Sequence, residues 1–113
     1  MKIKYAIFYT TDLQRIKNFY LDLGFKLAPE QKGKVISFVF DNDTILGIKL
    51  GDKEREVPGT QTVIISVDNI QVLYEKIKSG NYNIYKALIA QDWGTSFSIL
   101  DPDGNKAEFM ESV

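Results

Sequence analysis

The 113-residue sequence sets 14 Lys and Arg against 15 Asp and Glu, a net charge of −1, with 44% hydrophobic and 26% charged residues. That balance excludes disorder, collagen-like repeats and coiled coils, and a chain of this length buries roughly two-thirds of its unfolded surface, enough for one core. The lysines are scattered and no apolar run approaches a membrane span, so neither a nucleic-acid partner nor a membrane partner is expected.

Residues 2–9 are rich in β-formers and run into Thr10-Thr11-Asp12, whose short polar side chains suit a helix start. Leu13, Ile16, Phe19, Tyr20 and Leu23 recur at three- and four-residue spacing, which predicts a helix over 13–23 ended by Gly24. A short extended piece, 25–28, stops at Pro29. Two apolar runs follow, 35–40 and 44–50, joined through Asp41-Asn42-Asp43, a turn built from residues that tolerate left-handed backbone. Residues 51–59 are polar and carry no apolar period, so they are expected to be a linker.

The order then repeats. Residues 62–67 form a strand, Asp68-Asn69 a cap, Ile70, Leu73, Tyr74 and Ile77 a helix face, and Gly80 a stop. Asp12 to Gly24 and Asp68 to Gly80 both span 12 positions. Strands over 82–90, 95–100 and 106–111 complete the second half, the last two joined by Asp101-Pro-Asp-Gly-Asn105. Two copies of a strand, helix, three-strand unit are thus expected, one about 1–50 and the other about 60–113, within a single domain. With no Cys and no His, disulfides, thiolate or imidazole ligands and cysteine nucleophiles are ruled out. No dinucleotide, phosphate-loop or nucleophile-elbow motif is found. The N-terminus enters a patterned strand directly, and a cytoplasmic protein is expected.

Thr11-Asp12-Leu13, Phe19-Tyr20 and Leu23-Gly24-Phe25, with Trp93-Gly94, Phe97 and Asp101-Pro-Asp-Gly-Asn105 leading to Glu108-Phe109, resemble the glyoxalase, bleomycin-resistance and dioxygenase proteins of the vicinal oxygen chelate superfamily. The resemblance covers essentially the whole chain. It implies an α+β fold of two βαβββ modules, paired as an open, curled mixed sheet of half-barrels around a ligand cavity. It says less about activity, because the superfamily includes isomerases, dioxygenases, thiol transferases and proteins that only bind.

Enzymes of that family hold one divalent ion, usually with histidines near the start of each module and a glutamate on the last strand. The matching positions here are Tyr5, Thr62 and Glu108. A neutral phenol and hydroxyl are poor ligands, so the resemblance implies at most one ligand, Glu108, and no metal or other cofactor is expected. Glu108 is instead expected to be a cavity carboxylate, a solvent-facing strand residue, or one paired to a lysine such as Lys4 or Lys49.

Trp93 resembles a cavity-mouth tryptophan on which flat rings stack. Ile7 and Ile64, which share strand parity with Tyr5 and Thr62, join Phe38 and Ser96 in the expected ligand-contacting set; for Phe38 and Ser96 packing is the competing role. The expected function is metal-independent binding of a small, partly aromatic molecule, in the manner of antibiotic-resistance proteins. Two readings stand beside it: a lyase, isomerase or dioxygenase with an atypical site, using Glu108 as base, or a regulatory partner domain. A homodimer is the expected assembly, because two modules can pair within one chain or swap between two.

Overall fold

Alternation along the apolar runs and a 3.6-residue period between them fix where each strand and helix lies. A computed structural model of the chain describes residues 1–29, 31 and 34–113. It is an α+β fold in two compact units, residues 1–61 with 102–105, and residues 62–101 with 106–113.

The first unit contains β1 (Tyr5–Thr10), α1 (Leu13–Leu23), β2 (Lys26–Leu27), β3 (Val35–Val39) and β4 (Ile45–Leu50). Its sheet runs β1-β4-β3-β2, with β1 parallel to β4 and the other neighbours antiparallel. Side chains alternate between faces, so Phe8 and Thr10 on β1, Phe38 on β3, and Leu46 and Ile48 on β4 are buried on the face that α1 covers. Ile16, Tyr20 and Leu23 form the buried stripe of α1. Tyr20 anchors the layer: its ring stacks on Phe25 at 4.9 Å and lies 5.9 Å from Phe38 and 6.3 Å from Phe8. Burying each such side chain contributes about 1.5–3 kcal/mol.

Asp12 caps α1, its Oδ1 accepting from the Arg15 amide at 3.1 Å. At the other end Gly24 takes φ 109°, a left-handed geometry open to glycine at no steric cost. The turn at Asp41–Asp43 has left-handed residues at Asn42 and Asp43, as two Asx residues allow.

Residues 51–59 are tied into the first unit by side-chain bonds. The Lys49 ammonium donates to Glu56 at 2.7 Å, and the Gly59 and Gln61 amides donate to Asn105 Oδ1 at 3.0 and 3.3 Å. Asn105 Nδ2 in turn donates to the Tyr9 carbonyl at 3.0 Å. Asp103, from the same turn, accepts from the Thr10 and Thr11 hydroxyls, the Thr11 amide and the Arg15 guanidinium.

The second unit repeats the pattern with β5 (Thr62–Ser66), α2 (Ile70–Ser79), β6 (Asn83–Gln91), β7 (Gly94–Leu100) and β8 (Lys106–Ser112). Its order, β5-β8-β7-β6, reproduces that of the first sheet. Phe97, Ile99, Ala107 and Phe109 are buried on the face beneath α2, where Phe97 lies 5.0 Å from Tyr74 and 5.1 Å from Phe109.

One detail departs from the expected repeat. The counterpart of Asp12 is Asn69, not Asp68, and Asn69 caps nothing with its side chain because its own backbone is left-handed. The Ile70 amide donates instead to Glu111 Oε1 of β8, at 2.8 Å. A carboxylate supplied from across the sheet thus satisfies the helix start and complements its dipole. Among the described residues no helix is long and apolar enough to cross a membrane.

Candidate functional site

Each sheet has one face under its helix and one open face, and the open faces carry the candidate residues. On the first sheet, register aligns Tyr5 with Ile45, Ile7 with Gly47, Ser37 with Gly47 and Val39 with Ile45. Parity places these residues opposite Phe8 and Phe38. Tyr5, Ile7, Ser37, Val39 and Ile45, together with Val35, Ala28, Pro29 and Asp43, line a hollow of about 710 Å³, a size that suits a drug-sized molecule.

Gly47 lies beside Ile7 and Ser37 in the register of this face. A Cβ there would stand 2.9 Å from Ile7 Cδ1 and 3.2 Å from Val35 Cγ1, so glycine lets both side chains settle over the strand. Tyr5 is 48% exposed and Ile7 partly so, a cost in apolar surface that an isolated sheet face would not select. The Lys4 ammonium lies 6.0 Å from the Tyr5 ring centroid.

Toward the other end of this face stand Tyr9 and Lys49, which are register partners. Lys49 binds Glu56 and lies 3.6 Å from Asp52. Its ammonium, by donating to Glu56, holds that carboxyl well below its ordinary 4.5, at about 2, and Glu56 raises Lys49 in return.

On the second sheet a row crosses four strands, Lys86 on β6, Ser98 on β7, Glu108 on β8 and Ile64 on β5, each the register partner of the next. The Lys86 ammonium reaches Glu108 Oε1 at 3.4 Å and Ser96 Oγ at 3.1 Å. Glu108 therefore has a lysine partner, but it is Lys86 and neither Lys4 nor Lys49. The sequence offered no route to this pair because β6 shifts register between Ile84 and Lys86, and again before Ile89, which reassigns its faces.

The expected ligand residues divide accordingly. Tyr5 and Ile7 meet in the hollow of the first unit. Thr62 and Ile64 lie exposed on the open face of the second sheet, beside Lys106 and Glu108. Trp93 is about half exposed at the β6–β7 turn, where its carbonyl accepts from the Val113 amide. Ser96 is fully buried under its bond with Lys86.

Phe38 is a correction. It belongs to the core, packed between Tyr20 and Phe25, because its position on β3 turns it to the helix side. Val35, Ser37, Val39 and Ile45 were missed as lining residues; alternation along β3, counted from a buried Phe38, is the signal that identifies the first three.

The donor chemistry does not fit a divalent metal. Tyr5 and Thr62 offer neutral oxygens, Glu108 already faces an ammonium, and no group of three His, Cys, Asp or Glu residues converges among the described residues. In the first sheet the counterpart of Glu108 is Gly47, since Ile7 pairs with Gly47 as Ile64 pairs with Glu108.

The sequence model of the Glyoxalase/Bleomycin resistance protein/Dioxygenase superfamily matches residues 2–109. No curated protein sequence matches the chain significantly. Among solved structures, TnmS3, an antibiotic binding protein from Streptomyces sp. CB03234, is similar with a TM-score of 0.88 at 18% identity, over 100% of this chain and 97% of that one. TioX from Micromonospora sp. ML1 aligns over the whole of both chains at 15% identity and a TM-score of 0.79. A lactoylglutathione lyase from Agrobacterium tumefaciens reaches 0.77 at 18% identity, over 97% and 92% of the two chains. At such identities the likeness is one of fold.

Proposed function

Because the chain belongs to the glyoxalase, bleomycin resistance protein and dioxygenase superfamily, we propose that it binds a small, partly aromatic molecule without a metal, seated in the hollow of the first module. The observation that carries this reading is the apolar lining of that hollow, formed by Tyr5, Ile7, Val35, Val39 and Ile45. Flat apolar rings fit such a surface, and the Tyr5 ring and Ser37 hydroxyl add an aromatic face and one hydrogen-bonding group. The mismatch between the donor set and a divalent ion favours binding over the metal-assisted chemistry of the family's enzymes, and an antibiotic-binding protein with this fold supports the same choice. A homodimer belongs to the same proposal, and light scattering giving the mass of one chain would count against it.

The test is calorimetric titration of the protein with a panel of polycyclic aromatic antibiotics, repeated on Ser37→Trp, which fills the hollow. At least one compound is expected to bind, and the variant to weaken it tenfold or more. Absence of binding across the panel, or binding untouched by Ser37→Trp, overturns the reading.

A further inference from the structure

We propose that Gln31 is a positioning residue for the hollow of the first module: its carboxamide is wedged into the β2–β3 ladder and holds the hollow open for a broad polycyclic ligand rather than a narrow one. This role rests on the hollow being a binding site, and it names what sets the width of the ligand taken there.

Register locates the wedge. Leu27 on β2 faces Phe38 on β3, so the next pair along is Ala28 with Ser37. A hydrogen-bonded pair in an antiparallel ladder exchanges two bonds, each amide donating to the other residue's carbonyl. Here the first is direct, the Ala28 amide donating to the Ser37 carbonyl at 2.9 Å. The second is replaced by a side chain. The Ser37 amide donates to Gln31 Oε1 at 2.9 Å, and Gln31 Nε2 donates to the Ala28 carbonyl at 3.0 Å. A carboxamide thus stands where a ladder bond would otherwise close, and it keeps the two strands apart on that side by its own width.

The chemistry of the wedge is specific. It needs an acceptor and two hydrogens on one planar group, and both Nε2 hydrogens are used, the other one donating to the Ser37 carbonyl at 3.0 Å. A carboxylate would offer the acceptor and no hydrogens. Gln31 is an exposed residue, so fixing its long side chain costs rotamer entropy that these bonds offset.

The consequence falls on the hollow because both bridged residues line it. Ala28 and Ser37 stand on opposite sides of the wedge, with Pro29 next along the β2 wall. Pro29 has no amide hydrogen with which to extend the ladder, so the bridged pair is the last ladder contact of that wall. Without the carboxamide, the Ser37 amide can bond the Ala28 carbonyl directly and draw the wall inward.

Fluorescence titration of the full chain with 2-naphthol and 1-hydroxypyrene compares a narrow and a broad ring system carrying the same hydroxyl. Gln31→Ala should weaken 1-hydroxypyrene about tenfold while changing 2-naphthol less than about twofold. Gln31→Glu, which keeps the acceptor and loses both hydrogens, should act in the same direction. In Gln31→Ala the Ser37 amide should stay protected from hydrogen exchange, because it turns to the Ala28 carbonyl, and the melting temperature should change by less than about 4 °C. Equal weakening of both compounds overturns the proposal. So does a Ser37 amide that loses protection, since the side chain would then only cover an edge amide. Ser37→Trp separates the wedge from the hollow itself. If Ser37→Trp weakens both compounds and Gln31→Ala spares both, the hollow stands and the wedge falls; if neither compound binds, or both ignore Ser37→Trp, the hollow falls and the wedge with it.

Discussion

Asn105→Ala tests how the first unit is held. The side chain is fully buried; its Oδ1 accepts from the Gly59 and Gln61 amides, and its Nδ2 donates to the Tyr9 carbonyl. Alanine leaves two amides and a carbonyl without protein partners at once. At about 1 kcal/mol for each ordinary hydrogen bond the loss is about 3 kcal/mol, a large share of the roughly 5–15 kcal/mol that stabilises a typical domain. Taking about 4 °C per kcal/mol for a chain of this size, the melting temperature should fall by about 12 °C.

Urea denaturation followed by circular dichroism measures the first quantity, and an unchanged slope shows that the unfolded state has not shifted. Amide exchange supplies a local check, because Gly59 and Gln61 should lose protection before the strands do. A loss under about 0.5 kcal/mol, with exchange at those two amides unaltered, would refute the reasoning.

Two further outcomes follow from charged groups. Glu56 titrates at about 2 in the folded chain against an ordinary 4.5, so its contribution is fully present above about 4.5 and is lost as pH falls through about 2. Urea midpoints collected across that window should converge for the protein and Glu56→Gln at the acid end, and curves that stay parallel throughout contradict this. Glu111→Ala removes the acceptor at the start of α2 and should cost about 1 kcal/mol, with Glu111→Gln costing less because it keeps the oxygen; equal stability of all three proteins would show that solvent caps the helix as well.

Much of the fold could be read directly from residue spacing. The stripe Ile16, Tyr20 and Leu23, the stop at Gly24 and the parity of Tyr5 and Ile7 are local consequences of period 3.6 or 2. What escaped was of two kinds. Phe38 stood between packing and ligand contact because an aromatic residue is at home on either face of a strand, and only its neighbours decide which. Lys86 with Glu108 and Asp103 with Thr10 and Arg15 depend on bulges or on side chains meeting across long separations, Lys49 meets Glu56 through an irregular loop, and a single sequence has no period that encodes them. The bonds that residues 51–59 make to Asn105 and Lys49 leave no hydropathic trace in the sequence.

The turn at residues 102–105 has a consequence for synthesis. Protein chains emerge from the ribosome N-terminus first, and domains commonly fold in that order. Here β1 to β4 can pair as soon as they are made, but the Thr11, Gly59 and Gln61 amides and the Arg15 guanidinium must wait for Asp103 and Asn105. Until residues 103 and 105 have been added, those partners are missing, so the first unit completes its hydrogen bonding only late in synthesis.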